Sequence, residues 1–496
     1  MLGPRLVTAF IRARAATMGV ATAAAMTLVL PACGGTGDAG AQPAHPGTVT
    51  STAGSSPGSS AVSSGAGPAT STAPTGDAKP PATSPADWPS YHRDPTRGGY
   101  LPGPALTTPL RPSWSATLDG AVYAEPLVVR GTVVAVTERG SVYALDPATG
   151  ARIWERNLGP PQPQSGLPCG NIDPLGITGT PAYDSATGSL FVVAETSGGV
   201  HTLWALDAAT GASRWHRSLD VLPDRNRLAE QHRAALLVTQ HRVITTFGGL
   251  AGDCDNYVGY ATSVPTSGTG ATTTYAVPTA REAGMWSPAG PVLGPNGHVY
   301  VASGNGAEVG GAWDRSDSVT ELDATTLAPL SVFAPTTWSQ DNRADLDLGS
   351  SSPVPAHGRI VIAGKRGTVY LLPEQFSGVG HQIAALDGCK AYGGAARKGN
   401  DVVEPCSDGL RLLHVGRASL SWGWQAAGVT GSPIIVGDEV YATDQRTSEL
   451  VDVALSTGSV RSRVAVGAVT RFATPTPYAG RIYVPTLRGV AAVVGS

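Results

Sequence analysis

Short apolar runs separated by polar turn residues divide this chain, and one such run recurs almost unchanged. Val142–Trp154 reads VYALDPATGARIW, and Leu203–Trp215 reads LWALDAATGASRW sixty-one residues later. An apolar run, then Asp-x-x-Thr-Gly, then a short run ending in Trp predicts two antiparallel strands joined by a turn. In that turn Asp146 can accept hydrogen bonds from backbone amides, and Gly150 supplies the positive φ.

A second signature counts the repeats, because a residue followed by Pro opens a strand at regular intervals. These openings are Pro126, Pro181, Pro291, Pro353, Pro433 and Pro475. Two of the gaps are wide enough for a hidden unit, and weaker openings lie near Arg233–Val238 and Gly393–Ala396. Four short strands per unit of roughly 40–60 residues predict an all-β propeller of eight four-stranded blades, with seven as the alternative.

The eighth unit reaches Ser496 without a final strand that ends in Trp. Pro112–Leu118 (PSWSATL) lies before the first unit and resembles the missing strand. We therefore expect the ring to be closed by chain from both ends, with a strand from the N-terminal side completing the last blade.

The first thirty-three residues resemble a bacterial lipoprotein signal. Three arginines form a basic start, and residues 19–30 are an apolar stretch too short to span a bilayer. The sequence LPAC at residues 30–33 then fits a lipobox, in which the thiol of Cys33 becomes the lipid attachment point. An ordinary secretory signal with a chance cysteine is the alternative.

Residues 34–86 are mostly Ser, Thr, Gly, Ala and Pro and contain no aromatic residue. Such a segment cannot bury a core, so we expect a disordered tether leading to a propeller over residues 87–496. We expect an exported monomer held by its lipid alone, on the outer face of the cytoplasmic membrane or in an outer membrane if one exists. Loss of the three signal arginines takes the net charge from −3 to −6, which argues against nucleic acid as a partner.

Four cysteines follow Cys33, an even number in a chain that we expect to be exported. Cys389 and Cys406 bracket one loop and form the first expected disulfide, which would contribute about 3 kcal/mol by chain entropy. By elimination, Cys169 would pair with Cys254. Four free buried thiols are the alternative.

The recurring ALDxxTGxxxW phrase is similar to the repeat of pyrroloquinoline-quinone (PQQ) propellers, over roughly Trp88 to Ser496. The resemblance implies that the turn residues and terminal Trp of each repeat dock neighbouring blades. Here those residues are Asp146, Gly150, Trp154, Asp207, Gly211 and Trp215. The family contains calcium- and quinone-dependent alcohol dehydrogenases and also non-enzymatic members, such as the lipoprotein propeller of the outer-membrane barrel assembly machine. The repeat therefore predicts fold more firmly than function.

The resemblance also implies candidate site residues. In the quinone dehydrogenases an Asn after the unit-four strand ligates Ca²⁺, an Asp in a D-x-D stretch acts at the metal and as base, and a Lys contacts the quinone. Asn305, Asp345 or Asp347, and Lys365 stand at the matching positions. Oxygen ligands suit Ca²⁺, and a carboxylate can take the proton of an alcohol. Each residue also has a purely structural explanation. Asn305 fits a tight turn, the two aspartates fit a strand with one solvent-exposed face, and Lys365 fits the tip of a hairpin.

The chain departs from the dehydrogenases in several respects. They carry two adjacent cysteines over the cofactor, and this sequence has none; it also lacks a Cys-x-x-Cys-His haem motif. Trp286 and Trp313 lie near the matching positions, but the sequence does not mark either as a quinone platform. A Glu ligand in unit two is also missing, unless Glu195 supplies it.

We therefore expect a non-catalytic envelope scaffold without a cofactor, whose partner is a protein or a glycan. The alternative is a PQQ- and calcium-dependent dehydrogenase of an alcohol or sugar. Convergence of the candidate residues on the ring axis would favour the enzyme. Inserts such as Ser218–Gln231 and Gly388–Ser407 gathered on one face would favour the scaffold.

Overall fold

The computed structural model describes residues 87–496, which form a ring of eight antiparallel sheets. The signal, with Cys33, and the tether predicted for residues 1–86 lie outside the described residues. Each sheet is a blade of four main strands, so the eight-bladed propeller is confirmed and the seven-bladed alternative is wrong. Both weaker openings prove to be first strands, in blades 3 and 6.

Blades 1 to 4 follow one another along the chain. Blade 1 has strands Leu127–Val129, Thr132–Val136, Ser141–Leu145 and Arg152–Asn157. Blade 2 has Ala182–Asp184, Ser189–Thr196, Val200–Asp207 and Ser213–Ser218. Blade 3 has Leu237–Thr239, Arg242–Gly249, Tyr260–Pro265 and Thr273–Ala276, with Glu230–Gln231 added beside its second strand. Blade 4 has Val292–Leu293, Val299–Ala302, Val319–Leu322 and Pro329–Ala334, with Gly378–Val379 parallel to the last.

Blades 5 to 8 complete the ring. Blade 5 has strands Val354–Ala356, Arg359–Ala363, Thr368–Leu372 and Ala384–Asp387. Blade 6 has Ala396–Lys398, Asp401–Cys406, Gly409–Val415 and Leu420–Ala427. Blade 7 has Ile434–Val436, Glu439–Asp444, Glu449–Ala454 and Val460–Ala465, with Tyr100–Leu101 parallel to the first. Blade 8 has Thr476–Tyr478, Arg481–Thr486, Gly489–Gly495 and Leu110–Thr117.

Helical structure is confined to short connections. The one α-helix among residues 87–496 is Trp338–Arg343, and the 3₁₀ turns are Gln164–Gly166, Arg227–Ala229 and Leu348–Ser350. In the part of the chain that the structure describes, no helix is long and apolar enough to cross a membrane.

Burial shows which strand of each blade lies nearest the ring axis. The first strands are short and contain no exposed residue, as in Leu127–Val129, whereas fourth strands such as Arg152–Asn157 are largely exposed. Both faces of a blade pack on neighbours, so the second and third strands are buried at consecutive positions instead of alternating. The short apolar runs of the sequence are therefore blade interiors.

Neighbouring blades are joined by a Trp that covers a turn glycine. Trp154 of blade 1 lies on Gly211 of blade 2, where an added Cβ would come within 2.6 Å of the indole. The φ of Gly211 is +71°, so the turn needs glycine for both its backbone and its space. Trp114, Trp215 and Trp424 cover Gly150, Gly268 and Gly458 in the same way. The carboxylate of Asp146 accepts backbone hydrogen bonds from Ala148 and Thr149 within such a turn, as Asp207 does in the next repeat.

The ring is closed by chain from both ends, as the sequence predicts. Leu110–Thr117 is the outer strand of blade 8 and pairs antiparallel with Gly489–Gly495. Trp114 in this strand then docks on blade 1 through Gly150, and its Nε1 donates to the carbonyl of Pro147 at 3.1 Å. Residues 87–496 thus contain every strand that the ring needs.

Residues 88–101, which we call the plug, cross one end of the axial channel. Main-chain hydrogen bonds join the plug to the innermost strands of several blades, at Val128, Tyr183, Leu293, Arg397 and Ile435. The plug side chains Trp88, Tyr91 and His92 are buried, and the Arg97 guanidinium donates to three main-chain carbonyls. Asp87 and Leu101, at the two ends, bond to the turns between first and second strands of blades 1 and 7.

Candidate functional site

A cavity of about 560 Å³ opens on the ring axis. Its lining comes from all eight blades and from two kinds of connection: those leading into a first strand and those joining a second strand to a third. Because antiparallel strands alternate in direction, these two kinds of connection lie on the same face of the propeller. The cavity therefore lies on the face opposite the turns that hold the plug.

The plug closes the inner end of the cavity. A gap of about 10 Å³ separates Tyr91 of the plug from Arg233 and Phe472 of the cavity floor. The Tyr91 hydroxyl lies 3.2 Å from Thr474 Oγ1, which fixes the plug to blade 8. A ligand can therefore enter from the cavity face alone, since the chain itself occupies the far end of the channel.

The longest connections surround the cavity mouth. Residues 158–181, 219–236 and 335–353 all lie on the cavity face. The predicted insert Ser218–Gln231 belongs to this set. The predicted insert Gly388–Ser407 is wrong as a single loop, because its residues 396–398 and 401–406 are the first two strands of blade 6, and residues 388–395 alone form the connection.

Two disulfides lie on the cavity face, with the pairing that the sequence predicts. Cys169–Cys254 links the connection before blade 2 to a loop of blade 3, with 6.2 Å between Cα atoms. Cys389–Cys406 holds the connection before blade 6 against its second strand, with 5.1 Å between Cα atoms. Neither is a bond between adjacent cysteines of the kind that the quinone dehydrogenases carry.

Lys365, Asp345 and Asp347 meet on one wall of the cavity. The Lys365 Nζ lies 2.7 Å from an oxygen of each aspartate. Burial alone would lower the pKa of Lys365, but the Asp347 charge and the hydrogen bonds that the ammonium group donates to both carboxylates outweigh it, so this pKa lies above its ordinary value. The ammonium group is therefore a permanent cation between two carboxylates at neutral pH.

Asp347 is engaged at both oxygens. Its Oδ1 accepts from the main-chain N–H of Asn305 at 2.8 Å, and its Oδ2 accepts from Trp286 Nε1 at 3.2 Å as well as from Lys365. Trp286 also lies beneath Lys365, whose Nζ is 5.7 Å from the ring centroid. Three of the four candidate positions thus converge on the axis, and Asn305 lies directly behind them. Trp286 is a cavity residue that the sequence did not mark as a platform.

This donor set does not fit Ca²⁺. The ion takes six to eight oxygen ligands, and its affinity depends on the number of free carboxylates. The carboxylates of Asp345 and Asp347 instead surround the ammonium group of Lys365, which fills the cation position. Glu195, the other candidate ligand, is buried against His201 with 3.3 Å between oxygen and nitrogen, away from the cavity lining. Among residues 87–496, no group of three His, Cys, Asp or Glu side chains is placed to hold a metal ion.

Two arginines mark the other side of the cavity. The Arg233 guanidinium carbon lies 4.3 Å from the centroid of the Phe472 ring, and that of Arg471 lies 3.7 Å from the centroid of Tyr392. Burial lowers the pKa of Arg233 to about 10, which still leaves it charged at neutral pH. With Lys365 on Trp286, three cations each lie on an aromatic ring around one cavity.

Sequence reasoning missed this basic side, although a positional signal exists. Arg233, Trp286, Tyr392 and Arg471 each stand four to six residues before the first strand of a blade. In these blades that position faces the axis, because the connection has just turned inward toward the innermost strand. Large side chains immediately before the strand-opening signature therefore predict cavity residues.

The comparisons with known proteins agree with this architecture. Residues 111–320 match the sequence profile of a family described as outer membrane protein assembly factor BamB. No curated protein sequence matches the chain. Among solved structures, a quinohemoprotein alcohol dehydrogenase from Pseudomonas putida HK5 is 16% identical with a TM-score of 0.62, covering 82% of this chain and 80% of that one.

Two further structures show the same range of relatives. A europium-containing methanol dehydrogenase is 15% identical with a TM-score of 0.64, covering 83% of this chain and 98% of its own. BamB from Moraxella catarrhalis is 18% identical with a TM-score of 0.53, covering 78% and 98%. At such identities the likeness shows the fold, and it includes dehydrogenases as well as an assembly factor. The chain thus has the β-propeller fold of these structures, and its residues 111–320 resemble the BamB family.

Proposed function

We propose that this protein is an extracytoplasmic, lipid-anchored binding scaffold, and that its cavity face holds a partner in the cell envelope without PQQ or Ca²⁺. The observation that carries the proposal is the position of Lys365, whose ammonium group lies between the two carboxylates that a calcium site would need. A cation already bound to both carboxylates removes the charge that would attract a divalent ion.

The cavity face is built as a binding platform. One disulfide holds its long connection at residues 158–181 and a second holds the connection at residues 388–395, and such loops on a rigid scaffold are where binding residues usually lie. Asp87, the first described residue, accepts a hydrogen bond from the main chain of Arg130 in a turn on the other face.

The location can be tested separately from the binding role. We expect the full chain to fractionate with membranes and the Cys33→Ser variant to be released, because lipid chains alone supply the anchor. Membrane retention of a variant whose signal is cleaved and whose partners have been removed by a high-salt wash would contradict lipid anchoring at this residue.

One observation favours a second candidate, a quinoprotein dehydrogenase: Asp345, Asp347, Lys365 and Trp286 converge on the axis, as the resemblance implies for an enzyme. Calorimetry on residues 87–496 with PQQ and excess Ca²⁺, followed also by the quinone absorbance, separates the two. The scaffold predicts no calcium-dependent binding. Micromolar binding that EDTA and Asn305→Ala both abolish would establish the quinoprotein instead.

A further inference from the structure

The two arginines of the cavity, Arg233 and Arg471, differ from the buried Arg97 of the plug in the groups that their guanidinium groups contact. Arg97 of the plug is buried too, but it donates to the carbonyls of Tyr91, Leu236 and Pro291. Arg233 and Arg471 make no hydrogen bond and no ion pair with another residue of the described chain, and they are held by the rings of Phe472 and Tyr392. Stacking fixes the plane of a guanidinium and leaves its N–H edge free to donate.

The surroundings of Arg233 do not neutralise it. The charged group that acts on it is Glu138, whose carboxylate is already bonded to the main-chain N–H of Gly176 at 2.8 Å. Burial raises the pKa of Glu138 to about 7, so that carboxyl is partly neutral at physiological pH. On the opposite wall Asp345 and Asp347 are paired with Lys365, and the Asp253 carboxylate, which also lines the cavity, accepts from the Tyr257 hydroxyl at 2.5 Å. Among the described residues, Arg233 and Arg471 therefore have no carboxylate at ion-pair distance.

Three amide side chains line the same cavity. Asn171, Gln231 and Gln445 make no side-chain hydrogen bond to another described residue, and Gln231 is 5% exposed. Asn171 and Gln445 are exposed at the cavity mouth, whereas Gln231 is buried, and a buried amide normally has a partner, so its free side chain is available to a ligand. Each amide offers both a donor and an acceptor, which matches the hydroxyl groups of a sugar.

We propose that the axial cavity binds an acidic saccharide, with its carboxylate held by Arg233 and Arg471 and its hydroxyl groups by the amides. A guanidinium pairs a carboxylate through two parallel hydrogen bonds, which gives both strength and orientation. The cavity volume suits one small ligand. Because the cavity is closed at one end, it admits the terminal group of a saccharide but not a saccharide chain that passes through the channel. This inference rests on the proposed scaffold function and names its ligand class.

The test uses the propeller of residues 87–496, which contains every strand of the ring. It is titrated by calorimetry at low salt with glucuronic acid and with glucose, which differ at the carboxylate. We expect glucuronic acid to bind at least tenfold more tightly than glucose, and Arg471→Gln to lower its affinity at least tenfold. The matched control is Arg411→Gln, since Arg411 also stacks on a Trp but is paired with Asp408 away from the cavity.

The outcomes separate this inference from the function on which it rests. Equal binding of the two sugars, binding of neither, or unchanged affinity in Arg471→Gln with an unchanged melting curve would overturn the saccharide site. Binding of a Glu-rich peptide in place of the sugar acid would overturn the ligand class and keep the scaffold. Calcium-dependent binding of PQQ would overturn the scaffold function itself, whereas PQQ binding that ignores EDTA and needs Arg471 would support an anion site.

Discussion

The joints between blades repeat one contact around the ring, whereas the axial cavity repeats none. At four joints a Trp covers a glycine with positive φ in the next blade, and the same sequence phrase encodes it at several of them. At the axis, the cavity residues that precede the first strands differ between blades, as Arg233, Trp286, Asp347 and Tyr392 show. A repeated contact builds the scaffold, and the variable positions are free to make a site.

The largest expected effect on folding comes from removing the strand that closes the ring. Deleting residues 87–118 removes the outer strand of blade 8 together with Trp114, so we expect no cooperatively folded protein by circular dichroism and thermal melting. A propeller that lacks this strand has an open edge and an uncovered joint.

The matched control deletes residues 87–105 and keeps the closing strand. We expect this shorter deletion to fold with a lower melting temperature, because the plug covers the inner strands and its Trp88 and His92 hydrogen-bond the buried Glu125. Equal melting of the two deletions would show that the plug, and not the closing strand, holds the ring.

A smaller effect tests the repeated joint itself. Gly211→Ala forces a Cβ onto the Trp154 indole at a φ of +71°, so we expect a loss of about 3 kcal/mol in the free energy of unfolding. Gly358→Ala is the control, because Gly358 has a φ of +67° with nothing within 4 Å, and should cost about 1 kcal/mol. Denaturant melts measure both, and equal losses would mean that the indole contact adds nothing.

A still smaller effect comes from a carboxyl buried in the ring and away from the cavity lining. Burial raises the pKa of Glu404 to about 7, so the folded state binds its proton more tightly than the unfolded state does. Its stabilising contribution is complete below pH 4.5 and is lost as the pH rises through 7. We expect Glu404→Gln to exceed the wild type by about 2 kcal/mol at pH 8 and to match it near pH 4.5.

The pH series needs a carboxylate that does not change its environment on folding. Glu374→Gln serves, because Glu374 is exposed, and its stability should follow the wild type at every pH. A Glu404→Gln curve parallel to the wild type between pH 4.5 and 8 would contradict the shifted pKa.

The ring was predictable from sequence because its contacts are local and repeated. The Asp-x-x-Thr-Gly turn and the Trp that ends each repeat specify a hairpin and a joint, and even the closing strand at Trp114 carried the signature. Both disulfides followed from cysteine count and position. The insert at residues 388–407 was misread as one loop, although the weaker opening predicted near Gly393–Ala396 lies within it and leads into the first strand of blade 6.

The site was predictable only in part. The resemblance to the quinone dehydrogenases identified Asp345, Asp347 and Lys365 as candidates. No local sequence pattern shows that the ammonium group of Lys365 contacts both carboxylates. Arg233 lies in the connection that leads into blade 3, and Arg471 lies in the one that leads into blade 8. Only closure of the ring brings them into one cavity. Their lack of counter-ions is a property of the assembled axis, which no single repeat contains.

The most direct test of the account is a calcium titration of the wild-type propeller beside Lys365→Met, both by calorimetry in metal-free buffer. If the ammonium group fills the cation position, the wild type will bind no Ca²⁺, and Lys365→Met, with Asp345 and Asp347 released, will bind it weakly, at millimolar concentration. Micromolar Ca²⁺ binding by the wild type would contradict the account and return the dehydrogenase to first place.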